Sequence, residues 1–393
     1  MQERFMELDP PERVLMGPGP SNVHPRVLKA MALPVLGHLD PYFIEIMSQV
    51  MDLLRPVFQT DNQFTMAISG TGTAGMEAAL CNIIEPGDNV VVCLNGFFSD
   101  RMVDIAERCG ANLITVEGEW GKAIDVEKVE SALKQVDAKV VAVVHAETST
   151  GVMNPVQEIS ALAHKFGAFL LADAVTSLGG MPVKIDEWGI DICYSGTQKC
   201  LGAPPGLAPV TVNERAMEAI RKRKNKVLSL YLDFNMLEHY WGEKQAYHHT
   251  APISMVYAIR EALRVVLEEG LEARFQRHQL NHSALAAGLE AMGLEILPSK
   301  DDRLWTLNAV VIPHGIDDVK VRNRLLEDYN IEVGGGLGVL KGKVWRVGIM
   351  GYTSTRRNVL LFLSALEDIL SSEGLNLERG AAGKAVSDVY KNA

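Results

Sequence analysis

The chain has 393 residues, 47% of them apolar and 22% charged, with a formal net charge of −11. This composition excludes a disordered chain and allows about two domains with sizeable cores. The acidic balance argues against nucleic-acid or acidic-membrane partners, because phosphate attracts the opposite sign.

The N-terminus MQERFMELDPPERV lacks a signal-peptide core, and no apolar run reaches membrane-spanning length, so a cytoplasmic location is the default expectation. In chain order, apolar and β-branched runs predict strands at 64–69 (FTMAIS), 89–94 (NVVVCL), 112–116 (NLITV), 139–145 (KVVAVVH), 169–173 (FLLAD), 192–196 (ICYSG) and 207–212 (LAPVTV). Apolar spacings of three and four predict helices between the first five of these, at 75–84, 97–110, 125–136 and 156–167. Such alternation implies an α/β fold with a mostly parallel seven-stranded sheet between helices. The basic run at 221–226 follows an amphipathic stretch and reads as a solvated helix end. A long helical stretch at 253–292 is interrupted at Gly270, and strand-like NAVVIP and VWRVGIM follow among further helices. We therefore expect an N-terminal arm at 1–20, a large ligand-binding domain at 21–269 and a smaller α+β domain at 270–393. The tail from Ser372 loses periodicity and reads as partly mobile. Cys81, Cys93, Cys109, Cys193 and Cys200 form no CxxC pair and read as buried, reduced thiols.

Ligands of open parallel sheets bind beyond the carboxyl ends of the strands. At the first such end, SGTGTAGMEAAL puts Gly70, Gly72 and Gly75 in a GxGxxG at a helix start, with Thr71 and Thr73 beside them, which suits any phosphate. A nicotinamide dinucleotide is one candidate, although Asp88, at the spacing of a ribose-binding carboxylate, falls in the turn EPGDN; a tight turn without a ligand is another reading. KVVAVVH runs into Glu147, Thr148, Ser149 and Thr150, residues suited to turns and caps as well as to ligands. Asp173 closes FLLAD, where a carboxylate needs a cation or strong donors, in a salt bridge or against a ligand. Lys199, after DICYSGTQ, either snorkels to solvent or works in a cleft. Pyridoxal phosphate uses all three features: a phosphate for the helix start, a ring nitrogen for the aspartate, and an aldehyde for the lysine. A nicotinamide cofactor needs neither the lysine nor the aspartate.

Seven motifs in register, LMGPGPSNVHPRV, SGTGTAGMEAAL, HAETSTGVMNP, LLADAVTSLGG, YSGTQKCLGAPPGLAP, YHHTAP and WRVGIMG, resemble the class V aminotransferases of the fold-type I pyridoxal phosphate enzymes, in particular the alanine:glyoxylate and serine:glyoxylate aminotransferases. The resemblance spans residues 14–372 or so. It implies that Lys199 bonds to the cofactor aldehyde and that Asp173 faces the ring nitrogen. Gly72, Thr73 and Gln198 would hold the phosphate, joined by Tyr247 and Thr250 from the second subunit of a homodimer with shared active sites. Thr148 would lie beside the ring's phenolic oxygen, with Val175 behind the ring and Phe98 in front of it. Arg346 would grip the substrate carboxylate, and the backbone of Gly19 would approach the substrate. Thr73 stands where many relatives carry histidine, and Phe98 where many carry tryptophan.

The implied activity moves an amino group from alanine, or alternatively serine, to glyoxylate, giving glycine and, from alanine, pyruvate. A cysteine desulfurase would want a nucleophilic cysteine late in the chain, and none follows Cys200. The remaining rivals are a nicotinamide-dependent oxidoreductase using the 70–75 turn and a non-catalytic relative; Lys199, Asp173 and Arg346 together speak against the latter. His248 and His249 lack helical i, i+4 spacing and a nearby cysteine, so no metal site is expected. VGGGLG at 333–338 reads as a flexible turn near the site.

Overall fold

The computed structural model describes residues 7–242 and 246–393, so the first six residues of the expected arm lie outside the described chain. Seven strands form the central sheet: β1 (Phe64–Ser69), β2 (Asn89–Leu94), β3 (Asn112–Glu117), β4 (Val140–Val144), β5 (Phe169–Asp173), β6 (Ile192–Tyr194) and β7 (Leu207–Val212), in the spatial order β1-β7-β6-β5-β4-β2-β3. Only β7 runs against its neighbours, pairing antiparallel with both β1 and β6. The expected α/β fold with a mostly parallel seven-stranded sheet is therefore present. The continuous apolar run of β4 explains its central place, since all five of its residues are buried and a strand covered on both faces carries no alternation.

Helices Gly72–Ile83, Phe97–Arg108, Val126–Leu133 and Val156–Lys165 follow the first four strands. The long helical stretch is broken where the sequence places Gly270, whose φ of 83° suits only glycine without strain. The helix before the break, Ile253–Glu269, packs Val256, Ile259 and Leu263 into the core of the large sheet. The helix after it, Leu271–Ala291, sends Leu285 and Leu289 into a second core with Trp345, Val347, Phe362 and Leu366. A small antiparallel sheet of Leu307–Val311, Val344–Gly348 and Gly334–Gly335 lies there. The N-terminal segment joins this second core: Val14–Leu15 pairs with Ile331–Glu332, and Met16 is fully buried.

Three expectations need correction. The tail contains a helix, Ala381–Lys391, that buries Ala382 and Val386 in the second core. A Cβ at Gly288 would come within 3.1 Å of Val386, so glycine there lets the two helices approach closely; Ala382, Val386, Val389 and Tyr390 follow helical spacing and pack on that core. The glycines at 333–338 are not a free turn either, because Gly334 and Gly335 form an edge strand paired with Arg346 and Trp345. The basic run is only partly a solvated end: Lys222 pairs with Glu218, but Arg223 donates to the carbonyls of Asn82 and Ile84. All five cysteines are free and buried. Among the described residues no helix is long and apolar enough to cross a membrane, and no three His, Cys, Asp or Glu side chains gather as metal ligands.

Four buried histidines set the acid stability. Burial pushes His145, His249 and His282 down to about 4 and His278 to about 3. Each binds a proton in the unfolded chain near its ordinary value but not in the fold, so its contribution is lost as pH falls from there toward 4. Asp173, pushed up to about 7 by burial, and the buried Glu147 act in the opposite sense over part of that range. Four groups against two leave a net loss on acidification. The melting temperature of the cofactor-free protein should drop by about 5 °C or more between about pH 7.5 and about pH 5; a flat or rising curve in calorimetry would contradict this account.

Candidate active site

The site forms where β1, β4, β5 and β6 end. After β1 the chain turns at Gly70, whose φ of 134° excludes other residues, and the helix Gly72–Ile83 begins at once. A Cβ at Gly72 would press on Val175 at 3.1 Å, so glycine lets the helix start come close to the end of β5. Thr71 occupies the N-cap position but makes no side-chain capping bond. The first backbone N–H groups are thus left open to an anion.

Asp173 ends β5 at 3% exposure. Its Oδ1 accepts from the Val175 N–H at 2.7 Å and its Oδ2 from the Tyr194 hydroxyl at 2.7 Å. Burial nevertheless raises its carboxyl to about 7, outweighing both donors and the attraction of Lys199. A cationic partner is what this carboxylate lacks.

Lys199 follows β6 in a loop braced by Ser195, which donates to the Ala174 carbonyl, and by Thr197, which donates to the Pro204 carbonyl. Its ammonium donates to the Pro18 carbonyl. Burial first, and the positive charge of Arg346 second, lower it to about 8. Gly19, with φ 114°, lies so near that a Cβ would sit 2.7 Å from Lys199 Cδ. The 17–20 segment therefore runs directly over the lysine.

These parts converge on one cavity beyond the strand ends. Gly72, Thr73, Phe98, Thr148, Asp173, Val175, Gln198 and Lys199 all line it. Arg346 stands on the middle strand of the small sheet, between Ala309 and Gly334, 7% exposed, with Nε donating to Gly335 O at 2.7 Å. Burial lowers its guanidinium to about 10, partly offset by the charge of Glu147. Tyr247 and Thr250 are not brought to this cavity; both are exposed, Tyr247 at 65%, with its ring 5.4 Å from that of His38.

Sequence reasoning treated Glu147 only as part of a polar strand end and passed over Tyr194. Glu147 is fully buried and accepts from the backbone N–H groups of Phe98, Ser99 and Ser149 and from the Ser149 hydroxyl at 2.6 Å. This carboxylate fixes the start of the helix Phe97–Arg108 and so the place of Phe98. A Cβ at Gly96 would come within 2.6 Å of Ser149 Oγ, so glycine lets this helix start close onto the 147–149 turn.

The donor set fits pyridoxal phosphate. An open helix start meets a phosphate, the Gln198 side chain, whose amide NH2 can donate, lines the same cavity, Asp173 wants a protonated ring nitrogen, and a lysine of lowered basicity meets an aldehyde. The dinucleotide reading loses its carboxylate, because Asp88 is spent on the Glu85 N–H and on an ion pair with Lys139 at 2.6 Å.

Comparison with known proteins agrees. The family model "Aminotransferase class-V" matches residues 14–362. The crystal structure of ureidoglycine-glyoxylate aminotransferase from Bacillus subtilis superposes with a TM-score of 0.96 at 45% identity, covering 98% of this chain and 100% of that one. That of an alanine–glyoxylate aminotransferase from Nostoc sp. gives 0.91 at 49% identity over 94% and 98%. An alanine–glyoxylate aminotransferase of Drosophila melanogaster is 40% identical over 94% of this chain and 95% of its own length. With a cavity built for this cofactor and a family match along most of its length, the chain belongs to the class-V aminotransferases, pyridoxal phosphate enzymes of fold type I.

Proposed function

We propose that the protein transfers an amino group from a small amino acid, alanine, to glyoxylate. The observation that carries this reading is the convergence of Lys199, Asp173 and the open helix start in one cavity beside an arginine with no ion-pair partner among the described residues. Because Arg346 spends Nε on Gly335, its two terminal nitrogens remain to clasp an α-carboxylate side by side.

When bound, pyridoxal phosphate supplies an aldehyde that condenses with amines and a ring that draws electrons from the donor's α-carbon. Lys199, lowered to about 8, would take the proton from the donor's α-carbon as general base. Asp173 keeps a proton at the ring nitrogen, its carboxylate aimed by Val175 and Tyr194. Phe98 and Val175, both lining the cavity, would bracket the ring. Tyr247 and Thr250 reach the phosphate of a partner subunit. Support for such a homodimer is the exposed apolar set Leu28, Leu33, Val35 and Tyr42 together with Leu230, Tyr231 and Tyr247, two segments linked through the contact of His38 with Tyr247.

Alanine is favoured by the 49% identity to the Nostoc enzyme. A second reading, (S)-ureidoglycine as donor, is favoured by the Bacillus relative at 45%. Purified holoprotein supplied with glyoxylate and, separately, alanine, serine, (S)-ureidoglycine or glutamate decides between them. We expect kcat/KM for alanine to exceed that for glutamate by about tenfold or more. A larger value for ureidoglycine than for alanine selects the second reading, and no glycine formed from any donor refutes both.

A further inference from the structure

Arg101 lies outside the cavity, on the helix Phe97–Arg108, yet it touches two residues that line it. Its Nη1 donates to Thr73 Oγ1 at 3.0 Å, and its guanidinium carbon sits 5.3 Å and 5.4 Å from the ring centres of Phe97 and Phe98. Those two rings meet edge to face, 5.7 Å apart, so the cation rests against a fixed aromatic pair. Among the described residues Arg101 has no carboxylate partner, whereas the neighbouring Arg108 on the same helix pairs with Asp104.

The polarity of the bond to Thr73 carries the inference. A guanidinium only donates, so Thr73 Oγ1 must accept, and its own hydrogen is left to be given elsewhere. Thr73 stands in the first turn of the helix Gly72–Ile83 and faces the cavity, beside the open N–H groups. The arginine thereby converts a hydroxyl that works in either sense into a donor aimed at an anion, and places a positive charge just behind it. The same side chain ties that helix start to the one that carries Phe98.

We propose that Arg101 is a positioning residue for the cofactor's phosphate, acting through Thr73; this rests on the site assignment above. The alternative is an arginine that merely bridges two helices. A ligand pair separates them: pyridoxal phosphate and pyridoxal share the ring and the aldehyde, and only the first has the phosphate.

The experiment measures dissociation constants of both ligands for the cofactor-free protein by quenching of tryptophan fluorescence. Arg101→Met should weaken pyridoxal phosphate by about tenfold and leave pyridoxal within about twofold. Thr73→Val should do likewise, and the double variant should be no weaker than Thr73→Val alone, because the arginine works through the hydroxyl. Arg101→Lys, which keeps a cation near the seat, should fall between wild type and Arg101→Met, and serves should the methionine variant not fold. Equal weakening of both ligands, or no change in either, overturns the proposal. Failure of the underlying site assignment looks different: wild type itself would then bind the two ligands alike.

Discussion

Replacing Lys199 by alanine should abolish turnover, lowering kcat by about four orders of magnitude or more, since it removes both the covalent tether and the group that moves the α-proton. The loss should be chemical and not structural. Lys199 is an amine whose basicity burial has already lowered to about 8, so the fold gains nothing from its charge, and the variant should melt at or above the temperature of the wild type. Borohydride reduction of wild-type holoprotein should fix the cofactor on the peptide containing Lys199, as read by mass spectrometry, and the variant should show no adduct. Gly19 makes the geometry specific: the backbone packs against the lysine so closely that no other side chain fits there, and the amine is confined between the Pro18 carbonyl and the cavity. A variant that retains a tenth of the wild-type rate would remove Lys199 from the mechanism.

Much of this was legible in the sequence because its signals are local. Strand runs such as VVAVV are apolar without interruption since both faces are covered, and Asp173 stands out as a charge closing such a run, Lys199 as a charge in the loop that follows β6. What escaped depends on contacts between distant segments. Glu147 holds the start of a helix about fifty residues earlier in the chain, and nothing in the order ETST distinguishes a buried anchor from a turn former. Arg101 sits on an amphipathic helix where an arginine reads as solvent-facing, and only the fold brings Thr73 to it. Gly334 and Gly335 carry no side chains to alternate, so their strand appears only when Arg346 is seen to pair with them. The tail helix, by contrast, is written in the sequence: Ala382, Val386, Val389 and Tyr390 keep helical spacing, and the glycine-rich lead-in before them masks it.

Asp173→Asn should lower kcat by about two to three orders of magnitude while KM changes little, because it removes charge stabilisation that matters once electrons flow into the ring. The hydrogen bonds around the residue decide how the amide sits. The Val175 N–H needs an acceptor, which puts the amide oxygen at the Oδ1 position and the NH2 group toward Tyr194, whose hydroxyl turns to accept. The variant therefore keeps its fold but offers no negative charge to the ring nitrogen, and the proton there is no longer held. Stability supplies the internal control. The carboxyl of Asp173 is raised to about 7 in the fold, so between its ordinary value and 7 the folded state binds a proton that the unfolded chain does not, and stability falls as pH rises through that window. A neutral amide has no such dependence, so the cofactor-free variant should equal or exceed the wild type in melting temperature above about pH 7. Slow catalysis in a protein at least as stable as its parent is the signature of a group whose burial is tolerated for the sake of the cofactor; an unimpaired kcat would show that the ring nitrogen faces something else.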